Sequence, residues 1–335
     1  MKRLAAILAA ALLAACAARP GDAPSPAIGA AAPAIAGGAL VMDDGARLPL
    51  RAWLPEGKPR AIIVALHGFN DYSNAFDAPA KEWARHGVAT YAYDQRGFGK
   101  APARGRWVGA WRLDADLTEA TRALRARYPG VPLYALGESM GGAVVITAVA
   151  GAAGAPRPQV DGIVLVAPAV WGRVTMSVFE RVGLWTGDVL FPGLELTGRG
   201  LDITPSDNRP MLRALARDPL VIKATRVDTV KGLVDLMDMA LAAAPSIAKV
   251  PMLLLYGQHD DIVPRTPTRL FITDLNEPER AESQIALYEH GYHMLLRDLD
   301  ARIVITDVAA WIGNHRAELP SGADRRARGN ADASG

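Results

Sequence analysis

The sequence predicts an α/β protein whose mostly parallel sheet lies between layers of helices. Two observations carry this. Short apolar runs alternate along the chain with segments of helical periodicity, an order that favours parallel strands joined by helical crossovers. Several of the runs, such as Ala61–Leu66 (AIIVAL) and Met252–Tyr256, are apolar at every position rather than every second one, as strands covered on both faces require. With 335 residues, half of them apolar and 21% charged, the chain can bury a large core.

The first element is a leader. Residues 1–15 read Met-Lys-Arg followed by LAAILAAALLAA, a positive start and a short apolar run in the pattern of a secretory signal. The run is short for a permanent membrane-spanning helix. Leu13-Ala14-Ala15-Cys16 closes it and resembles the bacterial lipobox, in which cleavage precedes a cysteine that is then lipidated. The expectation is a lipoprotein of the bacterial cell envelope, anchored to the membrane through Cys16 on the periplasmic side. Cys16 is the single cysteine, so neither an intramolecular disulfide nor a Cys-based metal site can form. Residues 16–38, rich in Ala, Pro and Gly, read as a flexible tether. Setting aside Lys2 and Arg3 leaves 35 basic against 35 acidic residues, and no basic stripe is interleaved with aromatics, which argues against a nucleic-acid partner. No obligate protein partner is inferred.

The folded part is expected over 39–314, with 315–335 a disordered, solvated tail. Leu48–Leu54 alternates like an early strand. Ala61–Leu66 and Val88–Tyr93 are buried strands, ending at His67-Gly68 and Asp94. Arg112–Tyr128 has the helical repeat, with acids early and Arg late, as the helix dipole favours. Leu133–Leu136 is a strand leading to Gly137, and Met140–Ala150 is the helix after it. Ile163–Ala167, Met252–Tyr256 and Gln284–Glu289 complete the strands, and a helix follows near Ala301–Ile312. The gap between the strands at Ile163–Ala167 and Met252–Tyr256 exceeds one crossover, so about 169–247 reads as an inserted helical cap. It holds Trp171, Phe179, Trp185 and Phe191, with Met176, Phe179 and Val182 at steps of three. Such residues suit either the lining of a lid or a helix packed on its own core.

The chemistry is concentrated at Gly137-Glu138-Ser139-Met140-Gly141, a G-x-S-x-G pentapeptide between a strand and a helix. A tight strand-to-helix turn lifts the serine hydroxyl clear of the sheet, and the following helix aims its first N–H groups at developing negative charge. A serine hydroxyl needs a base to take its proton, and the order that accompanies this elbow is Ser, then acid, then His. Asp260 and Asp261 stand just beyond the strand at Met252–Tyr256, and His290 and His293 follow the last strand. On these grounds alone either acid and either histidine remain open. His67-Gly68-Phe69 follows Ala61–Leu66, where the oxyanion hole takes its second N–H, so the backbone N–H groups of Phe69 and Met140 are the expected oxyanion donors. His67 itself reads as a residue that orders the loop.

These residues resemble the monoacylglycerol lipase and lysophospholipase branch of the α/β hydrolases, a serine aminopeptidase S33-like group. The likeness rests on LHGFNDYSNAF at 66–76, YDQRGFGK at 93–100, GESMGG at 137–142, RDPLV at 217–221, YGQHDDIVP at 256–264 and GYHMLL at 291–296. It implies the α/β-hydrolase fold, with a helical cap inserted after the sixth strand, and the catalytic set Ser139, Asp260 and His293. Asp261 and His290 are left without a role, and Asp94-Gln95-Arg96-Gly97 corresponds to a structural loop. The implied activity is hydrolysis of a small acyl-ester or lipid substrate through an acyl-enzyme, without metal or other cofactor. Acyl transfer to another alcohol and serine aminopeptidase activity are the alternatives.

Overall fold

The computed structural model describes residues 32–198, 200, 202–247, 250–275 and 283–332. The leader, the lipobox and Cys16 lie outside the described residues.

The order of elements follows the apolar runs. β1 (Ala34–Ala36), β2 (Ala39–Val41), β3 (Arg47–Trp53) and β4 (Ala61–Leu66) precede α1 (Asp77–Arg85) and β5 (Val88–Tyr93). Then come α2 (Ala110–Arg127), β6 (Leu133–Glu138), α3 (Met140–Ala150) and β7 (Gly162–Val166). The insertion holds α4 (Val178–Leu190), β8 (Glu195–Thr197), α5 (Arg209–Arg217), β9 (Ala224–Arg226) and α6 (Val227–Ala242). The chain closes with β10 (Met252–Gly257), α7 (Arg265–Asp274), β11 (Ser283–Tyr288), α8 (Ala301–Gly313) and α9 (Ala323–Asp332).

Among the described residues nine strands form one sheet in the order β1-β2-β3-β5-β4-β6-β7-β10-β11, parallel from β5 to β11 and antiparallel at the β1–β3 end. The apolar strands divide their side chains between two cores. Along β4, Ile62, Val64 and Leu66 join one cluster, while Ala61, Ile63 and Ala65 join the other. That period of two explains why the strand is apolar throughout. The first core is closed by α2, α3 and α6, the second by Phe76, Trp83 of α1 and Val304, Val308 and Trp311 of α8. Leu66 pairs with Gly137, Glu138 with Val166, and Gly257 with Tyr288. The parallel strands therefore end along one edge, the usual place for a ligand in such sheets.

Three expectations are corrected at the margins. Ordered chain begins before Ala39, because Gly37 and Gly38, at φ 56° and 67°, close a tight hairpin between β1 and β2. Of the expected tail at 315–335, the described part, 315–332, is not free: Leu319 and Ala323 are buried, Ser321 binds the buried Asp307, Gln284 donates to Asp324 Oδ2 at 3.1 Å, and α9 packs along β11. This covers a strand that would otherwise be an open edge. Among the described residues the insertion follows the seventh strand, one later than the resemblance implies. It is also not all roof. α6 buries Val234, Leu236, Met237 and Ala240 against α3 and belongs to the body, while β8 and β9 add an antiparallel ribbon.

Candidate active site

Ser139 sits at the turn from β6 to α3 with φ 53° and ψ −116°, a conformation that costs a non-glycine residue about 1–3 kcal/mol. The surroundings hold it there. Its N–H donates to Val166 O at 2.9 Å, and its carbonyl accepts from Ala143 N at 3.1 Å and Ala169 N at 3.0 Å. The flanking glycines are required by space. A Cβ on Gly137 would lie 2.3 Å from the Gly141 carbonyl carbon, and one on Gly141 would lie 2.1 Å from Leu66 O. Met140 opens α3, so its N–H has no partner within the helix.

The loop after β4 lies against the elbow. A Cβ on Gly68 would stand 3.4 Å from Ser139 Cβ, which places the Gly68-Phe69 backbone beside Ser139. His67 orders this loop. Its Nε2 accepts from Gln95 N at 3.0 Å, so the ring proton is on Nδ1, which donates to Gly68 O at 2.8 Å. Burial holds the imidazole below its usual pKa and hence neutral. Asp94 accepts from Ser73 N at 3.1 Å, Ser73 Oγ at 2.6 Å and Lys100 N at 2.9 Å, while Arg96 pairs with Asp116 and Asp44. These contacts hold the Asp94–Gly97 loop in place.

Of the two acids and two histidines, the structure joins one pair. Asp260 Oδ2 is 2.9 Å from His293 Nδ1, and the Asp260 side chain is fully buried. Its Oδ1 accepts from Ile262 N at 2.8 Å and Val263 N at 2.9 Å. A carboxylate only accepts, so Nδ1 carries the proton and Nε2 keeps the free lone pair. Asp261 is exposed and accepts from Thr204 N at 3.4 Å. His290 is exposed as well. The acid loop and the histidine turn meet closely, since a Cβ on Gly257 would lie 2.4 Å from Gly291 O.

Sequence reasoning missed the polar support under this edge. Arg297 bridges Asp71 at 2.7 Å and Glu138 at 3.1 Å. Asp298 accepts from Tyr292 N at 2.8 Å and Ser206 Oγ at 2.6 Å, tying the cap to the histidine turn, and burial pushes its carboxyl above the usual range. The contacts span up to 226 positions, and no local pattern announces them. Of the cap aromatics, Trp171 is partly buried against the body, whereas Phe179, Trp185 and Phe191 are exposed, Phe179 at 89%.

A mostly parallel sheet with a serine at a strained strand-to-helix turn, and an acid–histidine pair on later loops of the same edge, defines an α/β-hydrolase. The sequence profile of the serine aminopeptidase S33 family matches residues 57–300, and the chain belongs to that family. It is 27% identical to a human monoglyceride lipase over 287 residues, covering 83% of this chain and 90% of that one. It is likewise 27% identical to a monoacylglycerol lipase of Mycolicibacterium smegmatis, covering 81% and 94%. Among solved structures, a soluble variant of the Saccharomyces cerevisiae monoglyceride lipase with a substrate analogue superposes at a TM-score of 0.69 and 20% identity, covering 88% of this chain and all of that one.

Proposed function

We propose that this chain is a serine carboxylic-ester hydrolase acting on lipid monoesters, monoacylglycerols or lysophospholipids, with Ser139, His293 and Asp260 as its catalytic residues. The observation that carries the reading is the buried Asp260–His293 pair on the edge where the strained Ser139 turn ends.

The chemistry follows from the proton positions. His293 Nε2 takes the Ser139 proton as Oγ attacks the ester carbonyl, and Asp260 holds the tautomer and stabilises the imidazolium. The N–H groups of Met140 and Phe69 bind the oxyanion. The oxyanion collapses, the alcohol leaves with the proton from His293, and the acyl group stays on Oγ. Water then gives a proton to His293, attacks the acyl-enzyme, and releases the acid as the proton returns to Oγ. The lipid character of the substrate is supported by the monoglyceride lipases among the relatives and by the apolar exterior of the cap, where Phe179, Val182, Trp185, Leu190 and Phe191 are exposed. The leader and Cys16 add a lipid anchor on the periplasmic side of the envelope, which would hold the enzyme where such lipids are met.

An aminopeptidase needs carboxylates free to meet an ammonium group. In α6, Asp235 pairs with Lys231 at 2.5 Å and with Arg173 at 2.7 Å, and Asp238 also pairs with Arg173, so these acids are already neutralised. Acyl transfer uses the same residues and differs only in the acceptor. A panel of p-nitrophenyl esters of rising chain length, then monoacylglycerol and lysophospholipid, with and without a competing alcohol, tests the reading. The expected result is hydrolysis of the lipid monoesters and a loss of about 10³-fold or more in Ser139→Ala. A Ser139→Ala variant that keeps most of its activity overturns it.

A further inference from the structure

Three segments meet at the carboxyl edge of the sheet: the loop at Gly68–Asp71, the elbow at Ser139, and the turn bearing His293. One side chain touches the first two and belongs to the third. Arg297 follows His293 by four positions, with Nη1 2.7 Å from Asp71 Oδ2 and Nη2 3.1 Å from Glu138 Oε2. The three side chains are 10%, 7% and 3% exposed. Asp71 is two residues beyond Phe69, and Glu138 immediately precedes Ser139. The turn under the guanidinium is itself fixed. Arg297 N donates to Met294 O at 2.7 Å, its carbonyl accepts from Asn208 Nδ2 at 2.8 Å, and Tyr292 N donates to Asp298.

Stability alone is a weak reason for such a cluster. Two buried carboxylates share one guanidinium, and Arg297 Nε and Glu138 Oε1 have no hydrogen-bond partner among the described residues. Buried ion pairs of this kind contribute little net stability, and apolar replacements of the whole set are often neutral. What a planar two-pronged guanidinium does supply is fixed geometry between its partners. Arg297 therefore joins, in one rigid contact, the segments that carry both oxyanion donors, the nucleophile and the base.

We propose that Arg297 is a positioning residue, which acts through Asp71 and Glu138 to hold the Phe69 N–H and the Ser139 turn in register with His293. This rests on the hydrolase reading above. Displacing a reacting group by about 1 Å costs about 10²-fold in rate, so the effect falls on kcat and leaves substrate binding in the cap unchanged.

Two variants test this, read on p-nitrophenyl butyrate with kcat, KM, thermal midpoint and the fraction of chains labelled by a fluorophosphonate. R297K keeps the charge, so the carboxylates stay paired, but loses the fork. The expected result is a kcat about 10-fold lower with KM within twofold and a near-wild-type midpoint. The combined variant D71N/E138Q/R297M removes all three charges together, so no buried charge is stranded. It is expected to fold and to lose about 10²-fold in kcat at unchanged KM. Wild-type kcat per labelled chain in R297K, or in a folded combined variant, overturns the proposal. With labelling run to completion, a loss accounted for entirely by fewer labelled chains overturns it too. If Ser139→Ala instead stays active, it is the hydrolase reading that fails.

Discussion

Changing Asp260 to Asn perturbs one atom pair and has a worked consequence. Asp260 Oδ1 is held by two backbone donors, Ile262 N at 2.8 Å and Val263 N at 2.9 Å, while Oδ2 faces His293 Nδ1 at 2.9 Å. The two backbone N–H groups demand an acceptor, so the asparagine amide oxygen must take the Oδ1 position. Its NH₂ group then faces Nδ1 and can only donate. His293 accommodates it by moving its proton to Nε2, which removes the lone pair that the proposed mechanism gives the task of taking the Ser139 proton. An Asp→Asn change acting through the wrong tautomer lowers kcat by about 10⁴, equivalent to about 5.5 kcal/mol at 1.36 kcal/mol per decade. Shape and hydrogen-bond count are conserved, so folding should be preserved. The assay is kcat on a soluble p-nitrophenyl ester beside the thermal midpoint, with Asp261→Asn as the control expected within twofold of wild type. A folded Asp260→Asn variant that retains a tenth or more of wild-type kcat would refute the reasoning.

Four further outcomes follow from other parts of the fold. Gly141→Ala drives a Cβ to 2.1 Å from Leu66 O, and the overpacking should cost at least about 1–3 kcal/mol, seen as a drop of several degrees in the thermal midpoint. Asp114 is buried in α2 beside Thr147, and burial pushes its carboxyl well above the usual range. An acid with a raised folded pKa contributes stability below its unfolded value near 3.9 and loses it as pH rises toward the folded pKa; Asp114→Asn should therefore gain in midpoint relative to wild type as pH rises above about 4, and a constant difference contradicts the linkage. Phe179→Ser with Trp185→Ser changes side chains that are 89% and 67% exposed, so the folding free energy should hold within about 0.5 kcal/mol, while turnover of aggregated long-chain monoacylglycerol falls relative to that of a soluble acetate ester. Ending the chain after Asn314 strips Leu319, Ala323 and Ser321 from the β11 edge, and a clear loss of midpoint is expected where a free tail would give none.

What could be read in advance was what is encoded locally. The strand limits at Ala61–Leu66 and Val88–Tyr93, and the helix at Met140–Ala150, agree with the structure because burial on both faces leaves an unbroken apolar run and G-x-S-x-G fixes the turn between strand and helix. The choice of Asp260 and His293 came through resemblance, since two adjacent acids cannot be told apart by spacing, and only the fold shows which one faces a ring. The polar carboxyl-terminal helix escaped notice because it is held by a few buried positions, Leu319, Ala323 and Asp324, rather than by an apolar stripe. Likewise Arg297, Asp71 and Glu138 are ordinary charged residues in sequence, and their meeting at one edge depends on the register of β4, β6 and β11. The insertion was visible as a gap, but its division into an exposed roof and a body helix, α6, depends on packing against α3.

The central claim is that Ser139 is the nucleophile, and labelling with a fluorophosphonate read by intact mass and peptide mapping tests it most directly. The account predicts one adduct per folded chain, located on Ser139, with esterase activity lost in step with labelling. An adduct on another residue that abolishes activity, or full activity in a chain labelled at Ser139, would contradict it.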